Sequence, residues 1–159
     1  MKVAASEKLV FVDETGIDRY LYRDYARAPI GQKVYARISG KKYKRTNIVA
    51  GICDGRWVSP LMYSGTTDST LFEHWFENRL MQEVAAGSII VLDNATFHRK
   101  RKLQEIAVSF GCEVWFLPPY SPDLNPIEKW WAWLKRKLRE VLHRFQSLDD
   151  AICNLFQVR

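Results

Sequence analysis

The chain has 159 residues, enough for one domain with a sizeable core, since 47% of them are hydrophobic. A charged fraction of 26% beside 13% aromatic residues excludes a disordered chain, and apolar runs such as Ile89–Leu92 fall far short of the roughly 20 residues that a bilayer span requires. Lys and Arg outnumber Asp and Glu by 24 to 18, a net charge of +6 that points to a polyanionic partner.

Leu9–Val12 is the first strong element, a short apolar run that predicts a buried strand ending at Asp13-Glu14. No apolar signal region precedes it, and Cys53, Cys112 and Cys153 are odd in number and scattered, which fits a reducing cytoplasm. A basic, Tyr-rich segment from Thr15 to Arg45 carries no periodicity that predicts an element. Ile48–Cys53 and Trp57–Tyr63 read as strands joined by an Asp54-Gly55 hairpin turn, so the first three strands form an antiparallel meander. The period then changes. Thr70 and Glu73 have capping-box spacing, and Phe72, Trp75, Phe76, Leu80 and Val84 give a helical stripe closed by Gly87. Ile89–Leu92 is a second buried strand running into Asp93. Leu103, Ile106, Ala107 and Phe110 mark a helix stopped by Gly111, and Val114–Leu117 is a strand broken by Pro118-Pro119. Asn125 caps a long helix with Pro126 at its first position and a stripe of Ile127, Trp131, Leu134, Leu138 and Val141. The order β-β-β-α-β-α-β-α predicts a mixed sheet with helices on both faces, an α/β fold, and it resembles the order of the ribonuclease H-like fold.

The positive charge is concentrated. Lys33, Arg37, Lys41, Lys42, Lys44 and Arg45 lie in one stretch without an acid, a second run is Arg99-Lys100-Arg101-Lys102, and Lys129, Lys135, Arg136, Lys137 and Arg139 form a third. Any one run is ordinary solvated surface; three together favour nucleic acid.

Asp13 and Asp93 each follow four consecutive apolar residues, so each ends a buried strand. On adjacent parallel strands their carboxylates converge at one sheet edge, where they repel unless a proton or a cation neutralises them. Hard oxygen donors suit Mg²⁺ or Mn²⁺. Glu128, in the first turn of the long helix, is a third acid near them, although its spacing from Asn125 also allows a capping role.

The run Leu117-Pro118-Pro119-Tyr120-Ser121-Pro122-Asp123-Leu124-Asn125-Pro126-Ile127-Glu128, followed by Trp131 and Lys135, resembles the signature around the last acid of mariner-superfamily DDE transposases. Val12–Thr15 and Leu92–His98 are similar to that family's first and second acid motifs. Residues 94 to 127, 34 in all, separate Asp93 from Glu128, the spacing of the bacterial insertion-sequence branch and some animal relatives. The resemblance covers the chain from about Glu7 onward. It implies a metal-dependent DNA endonuclease and strand transferase in which Asp13, Asp93 and Glu128 are the catalytic triad and hold two Mg²⁺ ions, with Mn²⁺ able to substitute. Asn94 and His98 are expected to support that site. Lys33, Arg37, Lys41, Lys42, Lys44, Arg45, Arg99, Lys100 and Lys135 are expected on DNA, with Lys33–Arg45 forming an arm between the first two strands.

The implied partners are double-stranded DNA, as terminal repeats and target, and a second copy of the chain in the DNA complex. The implied location is the bacterial cytoplasm, at the nucleoid. Residues 1–159 are expected to be a single catalytic domain. The helix-turn-helix region that the family carries upstream is expected to lie outside this chain, with a separate N-terminal half as one partner that would supply it. Trp133, off the buried stripe of its helix, is expected to point away from the core toward a partner. Two other readings stay open on the residues alone: a remnant repurposed for DNA binding, and another nuclease of ribonuclease H-like fold.

Overall fold

The computed structural model describes residues 8–18 and 45–157. The strands are β1 (Leu9–Ile17), β2 (Thr46–Cys53), β3 (Arg56–Tyr63), β4 (Ile89–Leu92) and β5 (Glu113–Phe116), hydrogen-bonded in the order β3-β2-β1-β4-β5. The first three strands pair antiparallel, as the meander predicts, while β4 lies parallel to both β1 and β5. At the β2–β3 hairpin Asp54 and Gly55 have φ of 51° and 72°, the left-handed pair that a two-residue primed turn requires.

Alternate residues of the central strand serve two cores, because successive strand side chains point to opposite faces. Val10 and Val12 face Phe72, Trp75, Phe76 and Leu80 of the first helical segment and Leu103, Ile106 and Ala107 of α3 (Lys100–Ser109). Phe11 and Ile17 face Ile127, Trp131, Leu134 and Leu138 of α4 (Ile127–Val141) and Leu148, Ala151, Ile152 and Leu155 of α5 (Leu148–Gln157). Helices therefore cover both faces, and each fully buried large side chain such as Leu103 or Leu134 contributes roughly 1.5–3 kcal/mol.

Four details differ from the sequence expectation. Asp13 does not end β1. The strand runs on to Ile17 because β2 supplies antiparallel partners as far as Thr46, whereas the parallel pairing with β4 stops at Phe11. Helix α1 (Ser69–Trp75) is capped by Asp68, whose carboxylate accepts from the Leu71 amide at 2.8 Å, and not by Thr70. It continues through a π-helical turn (Phe76–Leu80) into the short α2 (Met81–Glu83), a widening that accompanies a left-handed residue in β3: Ser59, at φ 50°, takes the indole proton of Trp75 on its carbonyl and bonds Arg79 and Glu83. The last difference is α5, for which no expectation was stated. Its N-terminus is held by Ser147, whose hydroxyl accepts from the Asp150 amide at 3.1 Å, and by Thr46, whose hydroxyl donates to Asp149 at 2.8 Å.

The consequence of α5 reaches Trp133, which is half-buried against the α4–α5 core and does not point away from the domain. Among the described residues no helix is long and apolar enough to cross a membrane.

Candidate active site at the end of the parallel strands

Because β4 ends at Leu92 while β1 continues, one side of β1 is uncovered from Val12 onward in the middle of the sheet. A groove of about 490 Å³ lies there, lined by Asp13, Asp93, Asn94, the turn from Leu117 to Pro122, Asn125 and Glu128. The three acids singled out in the sequence thus share one groove. Two reach it from parallel neighbouring strands and the third from the first turn of α4.

Asp13 sits on the α4 face of β1. The indole nitrogen of Trp131, one helical turn beyond Glu128, donates to Asp13 Oδ2 at 3.2 Å. Burial, then a side-chain hydrogen bond with Glu128, raises the Asp13 carboxyl from 3.8 to about 7, with the charges of Glu128 and Asp93 adding to the rise. Without a cation, the Asp13 carboxyl therefore keeps its proton to a far higher pH than an ordinary aspartate. Asp93 behaves oppositely. Nε2 of His98 donates to its Oδ1 at 3.0 Å, which holds the Asp93 carboxyl below its ordinary range despite partial burial. His98 is itself buried, packed between the rings of Phe72 and Phe97 at centroid distances of 4.4 and 4.3 Å.

Asn125 fixes the third acid relative to the first. This residue is 4% exposed; its amide nitrogen donates to the Val12 carbonyl at 3.2 Å and its amide oxygen accepts from the Ile127 backbone at 3.1 Å. One side chain thereby clamps the start of α4 onto β1 beside Asp13. As a result Glu128 faces the groove, and the cap is made by Asn125 without it. The sequence reading treated Asn125 as a cap and Trp131 as core; both also touch the site, and their places three residues to either side of Glu128 were the available signal.

Around this centre the basic residues divide. Lys100 stands at the start of α3 with its ammonium 5.2 Å from the Phe116 ring centroid. Arg45 and the half-buried Lys135 line a second groove of about 280 Å³, with Glu14, Asn47 and Tyr63. Arg45 lies across Gly16, where a Cβ would collide with its guanidinium, so the close approach depends on glycine. Arg99 forks onto Glu73, with Nε 2.6 Å from Oε1 and a second bond from Nη2 to Oε2, tying α1 to the start of α3. Lys33, Arg37, Lys41, Lys42 and Lys44 lie outside the described residues.

A mixed sheet of this order, with helices on both faces and acids gathered where a strand gives out, defines a ribonuclease H-like domain. Residues 8–152 match the model of the DDE superfamily endonucleases, and the chain belongs to that family. It is 26% identical over 124 residues to the uncharacterized protein y4pE/y4sA of Sinorhizobium fredii (strain NBRC 101917 / NGR234), covering 75% of this chain and 76% of that protein. Its fold is similar to that of the Mos1 transposase paired-end complex with left transposon end, at a TM-score of 0.71 and 19% identity over 95% of this chain and 48% of that one. The mariner Mos1 paired end complex with Mg gives a TM-score of 0.67 at 19% identity, covering 96% and 48%. The chain thus spans about half the length of these Mos1 chains.

Proposed function

We propose that this chain is the catalytic domain of a mariner-type transposase of the bacterial insertion-sequence branch, cleaving DNA strands and joining them at transposon ends. The observation that carries this reading is the meeting of Asp13, Asp93 and Glu128 in one groove, on two parallel strands and a helix clamped to them. In this reading the three acids are the catalytic triad. The site fits divalent cations: its donors are hard carboxylate oxygens, and the raised Asp13 carboxyl holds a proton that a cation replaces. Two Mg²⁺ ions, or Mn²⁺ in their place, supply Lewis acidity and a nucleophile at neutral pH when bound. The solved Mos1 paired end complexes with Mg and with Mn support this choice.

The chain's own groups do the positioning. Trp131 holds the Asp13 carboxylate, His98 holds that of Asp93, and Asn125 sets the distance of Glu128 from both. Asn94 lines the groove floor next to Asp93, where its amide can meet a phosphate oxygen. Lys100, Lys135 and Arg45 supply phosphate contacts, with Lys33–Lys44 as the arm that reaches further DNA. Arg99 contributes from its pairing with Glu73. The DNA partners are terminal repeats and target, bridged by two copies of the chain, with end recognition supplied by a helix-turn-helix region upstream or on a separate half. The site of action is the bacterial nucleoid.

The test is nicking of a terminal-repeat duplex in Mn²⁺, with and without an upstream terminal-repeat-binding region, followed by a strand-transfer assay. Nicking by the parent, its loss in Asp93→Asn and joining of the freed 3′ end to target DNA are expected. Parent-level nicking by Asp93→Asn would refute the triad, and nicking without joining would make the chain a nuclease of the same fold.

A further inference from the structure

One acid beside the site, Glu14, lies outside the triad, close enough to feel the charges of Asp13 and Asp93. Glu14 follows Asp13 on β1, so its side chain leaves the opposite face of the strand, toward α3 and away from α4. There a Glu14 carboxylate oxygen, an Asp93 carboxylate oxygen and a His98 ring nitrogen all lie within 4.8 Å of one another. Glu14 Oε1 is shielded from solvent and has no hydrogen-bond partner among the described residues. A buried carboxylate oxygen left bare beside a second carboxylate is a costly arrangement, and such groups in a native fold are answered by a proton or a cation. His98 is 99% shielded in its side chain, so its imidazole offers this cluster a fixed donor.

We infer that Glu14, Asp93 and His98 form a divalent-cation position on the α3 side of β1, with Glu14 as a fourth carboxylate of the centre. It rests on the reading above in one respect, that Asp93 carries a cation. Two carboxylates and an imidazole differ from the all-oxygen donors offered by Asp13 and Glu128. An imidazole ligand raises affinity for first-row transition ions relative to Mg²⁺, so this position prefers Mn²⁺ to Mg²⁺. On binding, the ion replaces the bond from His98 to Asp93: the imidazole stays neutral, its proton moves from Nε2 to Nδ1, and Nε2 offers its lone pair to the ion.

The experiment is Mn²⁺ titration of the whole chain, followed by calorimetry and by pulsed electron paramagnetic resonance, without DNA. The parent is expected to show ¹⁴N coupling from His98 on bound Mn²⁺, absent in His98→Gln, and Mn²⁺ binding at least tenfold tighter than Mg²⁺. Glu14→Gln is expected to weaken that ion at least tenfold, while Asp13→Asn with Glu128→Gln leaves the ¹⁴N-coupled ion in place. Absence of ¹⁴N coupling in the parent overturns the inference without any variant, so a misfolded variant does not decide it. If the Asp13 and Glu128 changes abolish Mn²⁺ binding and nicking while Glu14→Gln binds as the parent, the inference falls and the triad stands. If Glu14→Gln weakens Mn²⁺ but the Asp13 and Glu128 changes leave nicking intact, the inference stands and the triad falls.

Discussion

Replacing Asp13 by Asn should stabilise the metal-free protein. Asn keeps the shape and the acceptor for the Trp131 indole, and its amide can donate to Glu128. What it removes is a carboxyl that the fold raises from 3.8 to about 7 through burial and the Glu128 bond. The native state therefore binds more protons than the unfolded chain between about pH 4 and 7, and parent stability falls as pH rises through that window. The full shift corresponds to about 4 kcal/mol at pH 8. Part of this is shared with Glu128 and not recovered, so a gain of about 2–3 kcal/mol is expected. For a chain of this size that is a rise in Tm of roughly 5–10 °C. Thermal unfolding followed by circular dichroism in EDTA should show the gap at pH 8 and its near disappearance at pH 4.5. Saturating Mn²⁺ should narrow the gap at pH 8, because an ion bound only by the native parent adds RT ln(1 + [Mn²⁺]/Kd) to its stability. A variant less stable than the parent at pH 8 in EDTA, or a gap independent of pH, would refute the reasoning.

Glu128→Gln retains any capping ability but should lower nicking at least about 100-fold, a loss of about 3 kcal/mol, measured under single-turnover conditions. Replacing Lys41, Lys42, Lys44 and Arg45 together by Gln should flatten the salt dependence of DNA binding by roughly 0.9 log units per lost phosphate contact, read by fluorescence anisotropy across a salt series. Arg99→Ala should lower stability in urea unfolding, and by more than Glu73→Gln, because it strands the buried Glu73 carboxylate whereas the exposed guanidinium can rehydrate. Asn125→Ala should cost about 2 kcal/mol, one for each buried hydrogen bond lost, and should lower nicking with it.

The strands were legible because their apolar runs are short, uninterrupted and bounded by turn residues, and the sheet order follows from a hairpin and two crossovers. Boundaries were less so. Nothing local to Thr15-Gly16-Ile17 shows that β2 will pair with it, since that partner lies some 30 residues away in sequence. At the first helix both Asp68 and Thr70 are capping types, and Glu73 at the right spacing drew the start to Thr70; only the fold reveals that Glu73 belongs to Arg99. Helix α5 had a readable signal in Ser147 ahead of Leu148, Ile152 and Leu155, and without it Trp133 looked unpartnered. His98 reads as a polar residue before a basic run, yet Phe72 and Phe97 bury it, a contact set by tertiary packing alone. The place of Glu14 is concealed by its neighbour: beside Asp13 it looks like one acidic pair, and the two-residue period of the strand sends the members to opposite faces.

The clamp made by Asn125 separates the length of the chain from the shape of the site. The turn from Leu117 to Pro122 spans the gap between β5 and α4, but the position of Glu128 is set by two hydrogen bonds at the turn's far end, to the Val12 carbonyl and from the Ile127 amide. Residues added to or removed from that turn change the outline of the groove without moving the acid, provided the amide still reaches Val12. Two acids ride on the sheet and the third on a docked lever, so the groove wall can be rebuilt while the spacing of the three acids stays constant.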